Sequence, residues 1–220
     1  TLEETIFSGL SSMKTLDLSG NRLTSTHISK RLFQDLEQLT KLYLDHNDLS
    51  NFEESDEVFV PMAGTLTVLK LNHNNIKVIS NRTFLSLNNL LELNLSHNQI
   101  TSLDEPSFSG LESLKHLSLG HNQIVTIHEQ SFQHCDKLLV LDLSHNQLST
   151  APVALRSLHG LQTIDLSENL INDIVGASFL KMQNLWRLQL NNNKLSKVTV
   201  GLFKEMKTLQ ILDLSANIIK

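Results

Sequence analysis

Five histidines, His46, His73, His97, His121 and His145, recur at intervals of 24 to 27 residues, each immediately before an asparagine. Imidazole is the one side chain whose unperturbed pKa falls between pH 5 and 8. A periodic chain that places one on each repeat makes a row, about 5 Å from ring to ring if the repeats stack as strands. Like charges that close resist joint protonation. The chemistry such a row offers is a pH-sensitive binding edge. It does not offer a metal centre, because one His per repeat gives a line of ligands rather than a tetrahedral cluster. A second group of ionisable residues, Glu53, Glu54, Asp56 and Glu57, crowds the stretch that lengthens one repeat. Insertions in repeat proteins map to loops, so this one is expected to be a solvated acidic loop able to meet a basic partner or a calcium ion. Cys135 is the single cysteine, which rules out a disulfide within the chain. It stands three residues after Phe132, where other units carry Leu87, Leu111 or Met182, and a free thiol at a core position behaves as a small hydrophobe. A Gly-rich phosphate loop, H-E-x-x-H and G-x-S-x-G are all missing from the sequence. The many His and Asp residues fall at repeating positions, which explains them without catalysis. The expectation is a binding protein, not an enzyme, with no cofactor.

The elements that position these groups follow from one pattern, L-x-x-L-x-L-x-x-N-x-(L/I), which recurs nine times. Its first copy runs through Met13, Leu16, Leu18, Asn21 and Leu23, its last through Leu209, Leu212, Leu214, Asn217 and Ile219. The Asn falls at 21, 47, 74, 98, 122, 146, 169, 193 and 217. Within each copy a run such as Leu93-Asn94-Leu95 alternates apolar and polar, the signature of a short strand with one buried face. The Asn then turns the chain, and its amide can satisfy backbone groups that no strand ladder reaches. Ten residues beyond it lies a Phe, as at Phe84, Phe108, Phe132, Phe179 and Phe203; Phe33 and Phe59 lie twelve beyond, and Phe7 belongs to an incomplete first unit. These rings predict a second spine near the convex side. The sixth repeat breaks it, with Leu155 nine residues beyond Asn146 after Ala151-Pro152. One unit cannot bury its apolar face alone, so neighbours must bury it by stacking. The fold class expected is α/β: residues 1–220 form a single solenoid, a curved arc or horseshoe. Its concave parallel sheet has about nine strands, and loops and short helical turns lie on the convex side. The chain starts inside a repeat and stops just after the Asn217 turn with no cap at either end. It is therefore expected to be a segment of a longer protein.

The outward strand positions form the concave face. They are polar and mixed in sign, as suits a macromolecular ligand. Lys41, Tyr43, Lys70, His116, Arg187 and Gln189 are the candidate contacts. Tyr43, the only tyrosine, and Arg187 are the first anchors, because Tyr and Arg are enriched where binding energy concentrates. Trp186 shares a strand-edge position with Leu91 and Leu139 and is expected to lie over its neighbours. Asn81-Arg82-Thr83 and Asn94-Leu95-Ser96 are N-glycosylation triplets. A glycan on Asn94 would project from the middle of the concave sheet and direct a ligand to the sides or ends. Lys and Arg number 18 against 23 Asp and Glu, a formal net charge of −5. That balance carries no nucleic-acid signature, since phosphate recognition needs a basic stripe. A run long and apolar enough to cross a membrane is also missing, so any anchor must lie outside this chain.

The nine copies resemble the leucine-rich-repeat superfamily in its typical 24-residue class. The Leu-Asp-Leu-Ser strings (Leu141 to Asn146 is one), the Phe spine, the uneven repeat lengths and the long array without paired cysteines resemble Toll-like receptor and chaoptin-like ectodomains. That resemblance implies a recognition receptor at the cell surface or in the endosomal lumen. It would bind a protein or microbial ligand on its concave or lateral surface and signal as a homodimer or heterodimer. The alternatives left open are a secreted adhesion or matrix protein and a cytoplasmic interaction scaffold.

Overall fold

A computed structural model describes residues 2–52, 57–105 and 107–220. The chain winds as a solenoid of about eight turns. Each L-x-L segment contributes one three-residue strand: β1 (Thr15–Asp17), β2 (Lys41–Tyr43), β3 (Val68–Lys70), β4 (Glu92–Asn94), β6 (His116–Ser118), β8 (Val140–Asp142), β9 (Thr163–Asp165), β10 (Arg187–Gln189) and β11 (Ile211–Asp213). They form one parallel nine-stranded sheet in that order. Register never slips: Lys41, Val68, Glu92, His116, Val140, Thr163, Arg187 and Ile211 pair in succession across the strands. A slip by one residue would turn every buried leucine outward, and the apolar-polar-apolar run common to all the strands keeps the register despite uneven repeat lengths.

Strand-centre residues such as Leu42, Leu69, Leu93, Leu117, Leu141, Ile164 and Leu188 are buried, as are Leu44, Leu71, Leu95, Leu119, Leu143, Leu166 and Leu190 two positions on. The Phe spine forms on the far side of this core. Phe33, Phe59, Phe84, Phe108, Phe132 and Phe179 are buried, and Phe7 and Phe203 pack partly buried against the cluster. Phe59 stacks on Phe84 at 6.2 Å and Phe108 on Phe132 at 5.7 Å between centroids, within the range where aromatic pairs attract beyond their area. Phe52, which the ten-residue rule does not place, meets Phe59 edge-on at 5.6 Å. Leu155 substitutes for the missing ring in the short sixth repeat and is fully buried within a 3₁₀ turn, Val153–Ser157. The helical component is 3₁₀ throughout the described residues: Ser25–His27, Val60–Met62, Val153–Ser157 and Gly176–Phe179. A 24-residue unit that returns to the sheet every turn has room for one tight turn but not for several turns of α-helix.

Two short strands, β5 (Ser102–Leu103) and β7 (Thr126–Ile127), pair in parallel as a separate small sheet. Gly110 has φ +89°, and a Cβ there would sit 2.3 Å from the Leu85 carbonyl oxygen of the preceding turn. Close stacking of the two repeats therefore requires glycine at that position.

Candidate functional site

Two columns of the structure, one residue apart in the sequence, define what is scaffold and what is surface. The first is the asparagine ladder. Asn98 Nδ2 donates to the Leu71 carbonyl of the preceding repeat at 2.9 Å and to the Leu95 carbonyl of its own at 3.0 Å. Its Oδ1 accepts the Ile76 N–H at 3.0 Å. Asn122 repeats the arrangement with Leu95, Leu119 and Ile100. So do Asn47, Asn74, Asn146, Asn169, Asn193 and Asn217. Each amide thus pairs buried or part-buried backbone groups from two consecutive turns, which an apolar side chain could not do.

The second column is the histidine edge. His46, His73, His97, His121 and His145 adopt left-handed backbone with φ between 51° and 55°. Each N–H donates to a carbonyl of the following repeat, at Asn72, Ser96, Gly120, Ser144 and Ser167 respectively. His is one of the few non-glycine residues enriched in that conformation. The five exposed rings stack face to face. Successive centroids lie 4.2, 4.0, 4.1 and 4.0 Å apart, with planes within 10° to 19°. That is tighter than the expected spacing of about 5 Å for rings carried on stacked strands. His73 and His97 are held below the usual imidazole range, first by partial burial in the stack and then by the neighbouring histidines, with Asp45 and Asp142 acting in the opposite sense. At one end His46 Nδ1 lies 2.9 Å from Asp45 Oδ2. At the other, Glu168 takes the next position of the column, with the same left-handed backbone.

The sheet face carries the other sequence candidates, in two groups. Tyr43 and Lys70 are register partners on β2 and β3, with Lys41 exposed on the same strand as Tyr43. Lys70 forms an ion pair with Glu92 on β4. Lys70, Glu92, Asn94, His116, Ser118 and Asp142 then line a shallow depression of about 180 Å³. Arg187 and Gln189 stand apart, with β8 and β9 between them and His116, roughly 14 Å at the usual strand spacing. There Arg187 Nε donates to Gln189 Oε1 at 3.1 Å.

The face also has an internal order that its residue types alone do not reveal. Asp17, Asp142, Asp165 and Asp213 each accept the backbone N–H and the hydroxyl of the Ser two residues on, with hydroxyl contacts of 2.6 to 2.7 Å. These bonds hold the Asp17 and Asp213 carboxyls below the usual carboxylate range. The Leu-Asp-Leu-Ser string is therefore a turn-capping device that commits one oxygen of each Asp, and at Asp142 the other oxygen is bonded as well. Gly120 belongs to the same device: a Cβ there would lie 2.7 Å from Asp142 Oδ2, the atom that Ser118 Oγ bonds at 3.2 Å.

Asn81 is exposed in a turn before Phe84. Asn94 is half-buried in mid-sheet, its Oδ1 accepting the Ser96 N–H at 3.0 Å. Trp186 is half-buried at the sheet edge. Cys135 is fully buried and its thiol is pushed up to about 12, consistent with a core role. Of the acidic insertion, Glu53, Glu54 and Asp56 lie outside the described residues. Glu57 is paired with Lys30 at 2.6 Å. Among the described residues, no three His, Cys, Asp or Glu side chains are grouped to hold a metal ion, and no helix is long and apolar enough to cross a membrane.

The family description Leucine rich repeat matches residues 1–49, 64–124, 92–148, 117–171 and 149–195. The chain belongs to the leucine-rich repeat family. Among relatives, the array is similar to human leucine-rich repeat-containing protein 66 (41% identical over 69 residues, 31% of this chain and 8% of that protein). It is also similar to lumican of Coturnix japonica (31% over 90 residues, 41% of this chain and 24% of that protein). Mimecan of Gallus gallus is 35% identical over 77 residues, 35% of this chain and 24% of that protein. The chain therefore spans a quarter or less of the length of these curated relatives. Among solved structures it is similar to TLR13 in its complex with ssRNA13, with a TM-score of 0.81 and 34% identity over 96% of this chain and 28% of that one. A leucine-rich repeat protein of Leptospira interrogans follows the same path with a TM-score of 0.75 and 29% identity over 94% of this chain and 56% of that one.

Proposed function

We propose that this array is a ligand-recognition segment of a leucine-rich-repeat receptor, displayed outside the cell or in the endosomal lumen. It would bind a macromolecular ligand through its sheet face or the adjoining histidine edge, and signal as a homodimer or heterodimer. The observation that carries this reading is the likeness to a Toll-like receptor over 96% of the chain at 34% identity. The surface supports it: a polar face with separated clusters around Tyr43 and Arg187 suits a partner that spans several strands. The ligand class favoured is protein rather than the RNA of the TLR13 complex. Asp142, Asp165 and Asp213 leave half of the sheet face acidic, and the chain as a whole is at −5, so a long polyanion meets repulsion. A second reading, an adhesion or matrix protein without signalling, draws on the likeness to lumican and mimecan.

Glycan mapping tests both readings. Intact mass with and without N-glycan removal, on protein recovered from its native cells, is expected to show a glycan on exposed Asn81. Recovery from the membrane fraction supports the receptor, and recovery from the medium supports the matrix protein. Bare Asn81 and Asn94 on protein from the cytosol would sink both and leave the interaction scaffold. Occupancy of Asn94 as well would close the depression around Lys70 and His116 and assign recognition to the edge.

A further inference from the structure

The histidine edge has five stacked ionisable rings, a fixed length and acidic neighbours on its borders. Together these describe a partner. We propose that the imidazole column is an acid-switched docking edge for a short, carboxylate-rich segment of a partner protein. The proposal rests on reading the array as an interaction surface, and it adds when the surface is engaged and by what chemistry.

The backbones that carry the rings are pinned: each His has left-handed φ and an N–H bond to the next repeat, so the scaffold sets the spacing at which the rings are presented. In a column of five imidazoles about 4 Å apart, a proton on one ring opposes a proton on the next. His73 and His97 resist protonation through burial in the stack and through the neighbouring histidines, and an anion lying along the column removes that resistance. Proton uptake and anion binding are thus one coupled equilibrium. The groups facing the column set its ends. Asp45 and Asp48 flank His46, Asp142 faces the middle from the sheet, and Glu168 succeeds His145. Asp45 and Asp142 favour protonation of His73 and His97 respectively, and the carboxylates at the ends repel any anion that extends past the column. The column spans roughly 16 Å, the length of about five extended residues. The fit is to a few carboxylates on one peptide segment, not to a polymer that continues beyond both ends.

The test uses the full chain and two synthetic peptides, a glutamate-rich hexapeptide and its glutamine counterpart. Titration calorimetry is run near pH 5.5 and pH 7.4, in two buffers of different ionisation enthalpy, so that proton uptake is read directly. The expected result is binding of the glutamate peptide at least about tenfold tighter at the lower pH, with uptake of one or more protons and loss on the glutamine peptide. The triple variant His73→Asn, His97→Asn, His121→Asn should abolish the pH dependence. Asn is the appropriate replacement, because Asn192 already occupies this column with φ 54°. If that variant does not fold, imidazole proton resonances of the unaltered chain, followed with and without peptide, give the same answer through an upward shift of the column's titration on binding. Equal affinity at both pH values, or binding without proton uptake, overturns the proposal. So does a short single-stranded RNA that binds more tightly than the peptide with the same proton uptake, which would replace a protein partner by a nucleic acid. None of these outcomes depends on where the protein resides, so the proposal fails separately from the receptor reading.

Discussion

The asparagine ladder and the histidine edge are neighbours in every repeat that carries both, and they live under opposite rules. At Asn98 the side chain is buried and each polar atom has a backbone partner. At His97, one residue earlier, the side chain is exposed and touches chiefly its own kind. Both positions are periodic, so periodicity alone does not separate structure from function. What separates them is whether the backbone needs the side chain. The ladder atoms satisfy carbonyls and N–H groups that would otherwise be buried unpaired, whereas the edge needs only a residue that tolerates left-handed backbone.

That contrast can be broken from either side. The largest expected effect is Asn98→Ala, which leaves the Ile76 N–H without a partner and takes one of two amide donors from each of the Leu71 and Leu95 carbonyls, which keep Asn74 and Asn122. At roughly 1–3 kcal/mol for the stranded N–H and about 0.5–1.5 kcal/mol for each lost carbonyl bond, a loss of about 3 kcal/mol should appear in urea unfolding. Next comes His97→Val. A β-branched residue at φ 53° should cost about 1–2 kcal/mol through backbone strain alone, although it removes no hydrogen-bonded partner. His97→Asn keeps the conformation, so its unfolding midpoint should stay within about 0.5 kcal/mol of the parent. A loss as large as that of Asn98→Ala would erase the distinction between the two columns.

The smallest effect is the dependence of stability on acid. His73 and His97 titrate lower in the folded chain than the reference of 6.5. Their contribution is therefore present above that pH and lost as pH falls, because the unfolded chain then binds protons more readily. Unfolding measured on both sides of pH 6.5 should show a shallower acid decline in the His73→Asn, His97→Asn double variant than in the parent. An unchanged slope would mean that the stack does not resist protonation.

Much of this was legible in the sequence. The nine strands coincide with the L-x-L segments, the Asn amides do what a buried turn requires, and Leu155 fills the place of the missing ring. Each of these follows from a local rule repeated many times. What escaped depends on contacts between repeats. The β5–β7 pair arises where two 24-residue units happen to align extended segments beyond the turn. The Lys70–Glu92 pair lies across strands from different repeats, with no spacing in the sequence to mark it. Arg187 and Lys41 look equivalent in the repeat pattern, yet whole strands separate them, and only the sheet order measures that distance. The Asp-x-Ser capping had a signal, the recurrence of Ser two residues after Asp, but read as composition it passes for a polar binding face.

The unbroken parallel register has a mechanical consequence. Hydrogen bonds between neighbouring strands lie along the solenoid axis, so a pull on the two ends loads them one strand at a time rather than all together. The array would then lengthen in discrete steps, each releasing one turn of about 24 residues and roughly 80 Å of extended chain. Repeats still wound would keep their surfaces intact while the molecule is under tension.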